Sequence, residues 1–155
     1  WRRAGRRRAV RRTLAHPQAA EMNETLTRAG AQDFSIDFVP VSGPLARGIF
    51  ATSFVWVDAS IAPERIEEAF AAHYADETFV RQPRHRKPEV AAVSGSNFAE
   101  VGLVLGEVHD GRRLVTCFSA ADNLIKGCAG QAVQNLNLLL GMPEEMSLID
   151  PGSWP

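Results

Sequence analysis

The chain has 155 residues, and 45% of them are hydrophobic. A chain of this length can build one core that buries about 70% of the unfolded surface, so we expect one domain. No apolar run approaches the roughly 18 residues needed to cross a bilayer, and the arginine-rich start lacks the apolar stretch of a secretory signal. We therefore expect a soluble, cytoplasmic protein with no membrane partner.

The two cysteines, Cys117 and Cys128, exclude some kinds of site. They form no CxxC pair and have no neighbouring histidine at ligand spacing, so neither a zinc site nor a disulfide framework is expected. We predict reduced, mostly buried thiols and no metal.

The positive charge is concentrated at the start of the sequence. Residues 1–15 hold seven of the 17 Lys and Arg and none of the 18 acidic residues. This basic arm has no aromatic residue beyond Trp1, and nothing basic of this kind follows it, so nucleic acid is not an expected partner. Its composition, restricted largely to Arg, Ala, Gly and Val, is typical of a GC-rich gene that is translated in a wrong reading frame. We interpret residues 1–15 as a disordered or artefactual arm and residues 16–155 as the domain.

The first elements alternate between helix and strand. Residues 19–29 contain good helix formers, and Gly30 follows at the C-cap position. Alternating apolar and polar residues predict a strand at 34–38, and a β-rich run predicts another at 49–57. Arg47 lies in the Pro- and Gly-rich loop between them.

The middle of the chain predicts a helix, a loop and a hairpin. A helix from 63 to 74 begins with proline and carries an apolar face that we expect to cover a sheet. The basic, proline-bounded residues 82–88 predict a surface loop, and residues 90–93 an extended segment. Residues 101–105 and 114–119 predict an antiparallel hairpin.

A last helix is predicted after Asp122 and ends at Gly141. Its stripe of Val133, Leu136 and Leu140 has the spacing of a core-facing surface. The order of elements indicates an α+β fold in which helices cover one face of a largely antiparallel sheet.

Four segments are similar in sequence to motifs of one enzyme family. Residues 44–52 (PLARGIFAT) are similar to a P-x-x-RGI-x-AT segment, residues 74–81 (YADETFVR) to YADEPFVR, and residues 95–98 to GSNF. Residues 122–138 (DNLIKGCAGQAVQNLNL) are similar to a DNLVKGAAGQAVQNMNL helix. The chain thus resembles the N-acetyl-γ-glutamyl-phosphate reductases, which are NADPH-dependent acyl-phosphate reductases of arginine biosynthesis.

The resemblance implies a GAPDH-like C-terminal catalytic and dimerisation domain, whose last helix returns to an NADP-binding Rossmann domain. The G-x-G-x-x-G fingerprint of a Rossmann domain and the family's PGC segment with its nucleophilic cysteine are both missing from this sequence. We therefore expect NADP(H) to be held mostly by that absent domain and this chain to be inactive alone. Its expected partners are a small-molecule acyl phosphate and further copies of itself.

The implied reaction needs a group of near-neutral pKa that exchanges protons with the thiol and the hemithioacetal, which suits a histidine. Residues 16–22 (HPQAAEM) resemble an H-x-H-x-P-E-I segment of the family, which makes His16 the candidate catalytic residue. Gln18 stands at the second histidine position of that segment. An ordinary helix-start residue is the alternative for His16.

Two places are candidates for substrate binding. The guanidinium of Arg47 could grip a phosphate or carboxylate bidentately, or form a surface ion pair. Gly95, Ser96 and Asn97 could cradle an anion in a tight turn, or serve only as turn formers.

The cofactor is expected to approach the last helix. Gly127 and Gly130 leave its surface bare, so that either a nicotinamide ring or a neighbouring helix can come close. The resemblance implies that Gln131 presents its amide to the nicotinamide, with Asn123 nearby. These four residues are the predicted cofactor-binding set.

Three other functions remain open at this point. The least favoured is a nucleic-acid-binding protein, which would depend entirely on the arginines of residues 2–12. A reductase of lysine biosynthesis that acts on aminoadipyl phosphate would share these motifs. A non-catalytic dimerisation module would explain why the cysteine segment is missing.

Overall fold

The computed structural model describes residues 17–41, 43 and 45–152 of the chain. The chain divides into two compact units, Trp1–Pro44 and Leu45–Pro155. The domain boundary predicted at residue 16 stays a prediction.

The described part of the first unit contains helix α1, Pro17–Arg28. Gly30 ends it with a φ of 92°. The Gly30 N–H donates to the Thr27 carbonyl and the Ala31 N–H to the Leu26 carbonyl, both at 3.0 Å. This is a Schellman motif, which satisfies carbonyls that the last turn leaves free. The predicted helix and its glycine cap are confirmed.

The strand predicted at residues 34–38 is wrong. Those residues adopt no regular secondary structure, and none of the described strands pairs with them. An alternating pattern is stable as a strand only where another strand supplies ladder hydrogen bonds. The sequence contains the pattern, but this structure supplies no partner strand for it.

The second unit is built on a four-stranded sheet with the order β1-β4-β3-β2. The strands are β1 Ile49–Asp58, β2 Val80–Arg81, β3 Ala99–His109 and β4 Arg112–Ala121. Strand β4 pairs antiparallel with β1 and with β3, whereas β2 pairs parallel with β3. Asp110 and Gly111 join β3 to β4 with φ angles of 49° and 73°, which is the geometry of a type I′ hairpin turn. The predicted hairpin is confirmed.

Three helices and a π-helical turn complete this unit. They are α2 Pro63–His73, α3 Val90–Val93, the π-helical turn Ile125–Ala129 and α4 Gly130–Leu139. The extended segment predicted at residues 90–93 is wrong, because these residues form the short helix α3. One turn of helix brings the adjacent Ala92 and Val93 to the same buried side, whereas a strand would send them to opposite faces.

The hydrophobic core lies at one end of the sheet. Phe79, Val93, Phe98, Ala120 and Leu148 are its buried members, with Val90 packed against them. Helix α2 lies over one face of the sheet across an apolar cavity of about 290 Å³, lined by residues such as Phe70 on the helix and Leu103 on β3. The predicted α+β architecture, with helices on a largely antiparallel sheet, is confirmed.

The predicted core stripe of the last helix is wrong. Val133, Leu136 and Leu140 are 39%, 51% and 62% exposed, whereas Gln134 and Asn137 are buried. The helix turns this polar face inward because the protein supplies hydrogen-bond partners for it, as described below. The apolar face stays open. None of the described helices is long and apolar enough to cross a membrane.

Candidate functional site

Asp122 is the centre of a buried polar cluster in the second unit. Its side chain is 0% exposed. The Oδ1 atom accepts hydrogen bonds from the N–H groups of Leu124 and Ile125 at 2.8 and 2.9 Å, and Oδ2 accepts one from Gly95 at 2.6 Å. Strand β4 ends one residue earlier, so Asp122 caps the N–H groups that the following helical segment leaves free.

The same carboxylate pairs with Arg47, whose Nη2 lies 2.6 Å from Oδ2. Burial alone would raise the pKa of Asp122. The Arg47 contact and the three backbone N–H donors outweigh burial and hold that pKa well below its usual range. Asp122 is therefore a charged carboxylate at any physiological pH.

Arg47 keeps part of its guanidinium uncommitted. The contact of Nη2 with Asp122 is close but is not aligned as a hydrogen bond, and Nε has no hydrogen-bond partner among the described residues. The side chain is still 35% exposed. The ion-pair alternative for Arg47 is thus present in the structure, with a buried partner rather than a surface one. Nε and Nη2 are themselves buried, so Nη1 is the guanidinium nitrogen that remains for a ligand.

The turn formed by Gly95, Ser96 and Asn97 has most of its polar groups engaged inside the protein. Gly95 has a φ of 77°, a conformation that favours glycine. The buried Ser96 hydroxyl donates to the Val93 carbonyl at 2.9 Å, and Asn97 Nδ2 donates to Gln134 Oε1 at 3.0 Å. The anion that this turn holds here is the carboxylate of Asp122.

The four residues predicted to bind the cofactor fall into two groups. Asn123 and Gly130 face inward: Asn123 Oδ1 accepts the Gly48 N–H at 2.6 Å, and a Cβ on Gly130 would clash with Asn97 Oδ1. Gly127 is exposed and Gln131 partly exposed, and Gln131 donates to Asn135 at 3.0 Å. An accessible, nearly bare surface therefore exists at Gly127 and Gln131, whereas the chain's own packing accounts for the small size of Gly130.

A second polar network was missed by the sequence reasoning. Gln134 Oε1 accepts from Lys126 Nζ at 2.7 Å, and Gln134 Nε2 donates to Glu144 Oε1 at 2.5 Å. Asn137 Nδ2 donates to the carbonyls of Glu144 and Met146. The signal was weak: Gly130, Gln134 and Asn137 have helical spacing, but the same helix also carries the amides Gln131 and Asn135, which are not buried. An amide stripe of this kind predicts a buried polar seam once partners are near.

The remaining predicted groups are placed as follows. His16 lies outside the described residues. Cys117 is half-buried, and burial raises the pKa of its thiol. Cys128 is exposed, contrary to the prediction of buried thiols, because the π-helical turn carries it outward. In the described ranges, no group of three or more His, Cys, Asp or Glu could hold a metal ion.

In chemical terms, the described cluster can orient and bind but offers no activated nucleophile. It supplies one partly free guanidinium, a rigid turn and a bare helix surface. A thiol whose pKa is raised is mostly protonated at neutral pH and is a weak nucleophile.

The sequence matches the semialdehyde dehydrogenase dimerisation domain family over residues 5–123. The chain belongs to this family. The resemblance predicted from its motifs is confirmed by curated relatives named N-acetyl-gamma-glutamyl-phosphate reductase. One from Pelotomaculum thermopropionicum is 37% identical over 90% of this chain and 40% of its own length, and one from Thermus thermophilus is 43% identical over 88% and 38%.

A third relative comes from Ignicoccus hospitalis and is 38% identical over 86% of this chain and 37% of its own length. Its name provisionally assigns it as a phosphate reductase for LysW-bound L-2-aminoadipate or L-glutamate. The chain spans about 40% of the length of the reductases it matches.

Proposed function

We propose that this chain is part of an N-acetyl-γ-glutamyl-phosphate reductase. The reaction would convert the acyl phosphate, NADPH and a proton into N-acetylglutamate semialdehyde, phosphate and NADP⁺. The similarity to reductases of that name, at 37% and 43% identity over nearly nine tenths of this chain, carries the proposal. The relative named for aminoadipate makes an aminoadipyl phosphate the alternative substrate.

The proposed role of Arg47 is to bind the anionic group of the acyl phosphate. Its side chain is 35% exposed, and because Nε and Nη2 are buried, the proposed contact is made through Nη1. Arginine is suited to this role because its planar fork matches phosphate and carboxylate geometry. We propose that the turn of Gly95, Ser96 and Asn97 supports it from the side of Asp122.

The cofactor in this proposal is NADP(H), which supplies the hydride when bound. Gly127 and Gln131 are the residues of this chain that leave an accessible surface for its nicotinamide ring. The proton-transfer role is proposed for His16, and the nucleophilic cysteine is proposed to belong to a nucleotide-binding half. These residues alone should be inactive, because neither Cys117 nor Cys128 stands in the family's PGC segment and burial raises the pKa of the Cys117 thiol.

The exposed apolar face of α4 supports the idea of a missing contact. Val133, Leu136 and Leu140 form a contiguous helical stripe that stays 39–62% exposed. Such a stripe is typical of a surface that another domain covers. We propose that the nucleotide-binding half packs there.

The test is phosphate-dependent reduction of NADP⁺ with N-acetylglutamate semialdehyde, followed by the absorbance of the NADPH that forms. The chain is assayed alone and mixed with a supplied nucleotide-binding half, and Leu136→Asp serves as the matched variant. Activity in the mixture only, lost with Leu136→Asp, supports the proposal. Inactivity in the mixture, or activity of the chain alone, contradicts it. The aminoadipate semialdehyde run in parallel decides the substrate.

A second function, self-association, is favoured by the open face of the sheet. The family is described as a dimerisation domain. Phe50, Phe54 and Trp56 alternate along β1 on the face opposite α2 and are 46%, 68% and 51% exposed. We propose that a second copy of this chain covers this face, since large exposed aromatic patches are rare on monomers.

Sedimentation velocity tests the self-association. Phe54→Asp should convert a dimer to a monomer, whereas Leu136→Asp should leave the dimer intact because it lies on the other apolar surface. A monomeric wild type, or a dimer that survives Phe54→Asp, contradicts the proposed face.

A further inference from the structure

Asp122 lies where three separately predicted parts of the site meet. Its carboxylate contacts Arg47 from the loop before β1, the N–H of Gly95, and the N–H groups that begin the last helical segment. The side chain is 0% exposed. A carboxylate with no access to solvent cannot itself bind a dissolved substrate, so its effect must pass through the groups that it holds.

We propose that Asp122 is the positioning residue of the anion site: its carboxylate holds the Arg47 guanidinium in one orientation beside the Gly95 turn. The inference rests on the proposed function, because it concerns the group that is proposed there to bind the acyl phosphate. Arg47 is anchored at Nη2, 2.6 Å from Asp122, while the side chain stays 35% exposed. Nη2 is therefore fixed and Nε is buried beside it, which leaves Nη1 within reach of a ligand.

The benefit of this arrangement is preorganisation. A long side chain that is ordered before binding loses less freedom when it grips a ligand, which corresponds to about threefold to tenfold in affinity. An opposing effect must be separated from it. Removing the carboxylate also leaves Arg47 with an uncompensated charge, which attracts any anion more strongly. The selectivity for phosphate over the spherical chloride ion, rather than affinity alone, reports the positioning.

The first measurement is made on the unaltered 155-residue chain, labelled with nitrogen-15. If Asp122 holds Arg47, rotation about the Nε–Cζ bond is restricted, and the two Nη groups of Arg47 give separate signals. Added inorganic phosphate should shift these signals saturably, and chloride should do so more weakly. A single averaged Nη signal in the unaltered chain overturns the inference without any variant.

The variant is Asp122→Asn, which keeps one oxygen as acceptor for the helical N–H groups but removes the charge that faces Arg47. We expect the Nη signals to merge and the selectivity for phosphate over chloride to fall by about threefold to tenfold. If this variant does not fold, Asp122→Glu decides: it keeps the charge but displaces the carboxylate by one methylene, and the same loss is expected.

Glu100→Gln is the matched control. Glu100 is the other nearly buried carboxylate in an arginine pair, 2.6 Å from Arg86. Its removal should leave the Arg47 signals and the phosphate selectivity unchanged. If Glu100→Gln lowers the phosphate selectivity as much as Asp122→Asn does, the loss reflects a general loosening of the fold, and the inference is overturned.

The failures are distinguishable. No saturable phosphate shift at Arg47 in the unaltered chain contradicts the anion-binding role in the proposed function, and the inference fails with it. A normal phosphate shift whose selectivity survives both Asp122 variants leaves that role intact and overturns the inference alone.

Discussion

Gly127 and Gly130 lie three residues apart in one helical segment, and the structure predicts opposite effects of adding a methyl group to each. A Cβ on Gly127 would have the Asp122 carbonyl oxygen as its nearest neighbour, at 3.4 Å. A Cβ on Gly130 would clash with Asn97 Oδ1 and lie 2.9 Å from both Cγ2 and the carbonyl oxygen of Ile125. The first is an ordinary contact, and the second is not.

The magnitudes follow from these distances. Replacing a helical glycine by alanine contributes about 0.5–1 kcal/mol through backbone entropy, and Gly127→Ala should realise most of it. In Gly130→Ala, overpacking opposes that gain by about 1–3 kcal/mol. Displacement of Asn97 also loses its hydrogen bond to Gln134, which is worth about 1 kcal/mol. We expect Gly130→Ala to lower the free energy of unfolding by about 1–3 kcal/mol.

Urea denaturation followed by far-ultraviolet circular dichroism measures both variants, provided that the m-values stay equal. The double variant Gly130→Ala with Asn97→Ser tests the cause, because the shorter serine removes the clashing amide. It should be less destabilised than the sum of the single variants. Gly130→Ala as stable as the unaltered chain, or Gly127→Ala as destabilised as Gly130→Ala, would refute the reasoning.

Three further outcomes can be measured on the same chain. The pKa of Asp122 is lowered from 3.8, so the unfolded chain takes up this proton at a higher pH than the folded one. The charged Asp122 carboxylate therefore stabilises the folded chain above about pH 4, and this stabilisation is lost as the pH falls. Asp122→Asn should flatten the dependence of the free energy of unfolding on acid pH in urea titrations. An unchanged dependence contradicts this prediction. Glu100→Gln leaves a partly buried Arg86 without its carboxylate and should lower the free energy of unfolding by about 2 kcal/mol; less than about 0.5 kcal/mol would mean that the pair is only a surface contact. The exposed Cys128 should react with a thiol reagent at least about tenfold faster than the half-buried Cys117, and mass spectrometry of each labelled peptide distinguishes the two.

The elements that the sequence predicts correctly are those whose signal is local. Gly30 ends α1 because a left-handed residue is needed there, and the Asp110–Gly111 turn forms because both residues accept a positive φ. The strand at 34–38 and the segment at 90–93 depend instead on partners elsewhere in the chain. Their patterns carry no information about whether such a partner is present.

In the candidate site, too, local motifs are predicted from the sequence and contacts between distant residues are not. Arg47 and the turn at Gly95 were found through motif similarity, and the structure brings both to one carboxylate. For Asp122, the sequence predicts only the start of a helix. Its role in joining them depends on residues that are distant in the chain. The hydrogen bond from Gly95 to Asp122 spans 27 positions, and the neighbouring one from Gly48 to Asn123 spans 75. Contacts over such distances leave no periodic pattern in the sequence.

The last helix buries its polar face and exposes its apolar one, and this reversal links the site to the proposed docking surface. An isolated domain would gain most by burying Leu136 and its apolar neighbours. Instead it buries Gln134 and Asn137, whose amides bind Asn97, Lys126 and the loop at Glu144. Those polar contacts fix the helix against the turn that holds Asp122. The residues of the candidate site therefore determine which way the apolar face of the helix points. Under the proposed function, the same network would orient the face on which the nucleotide-binding half packs.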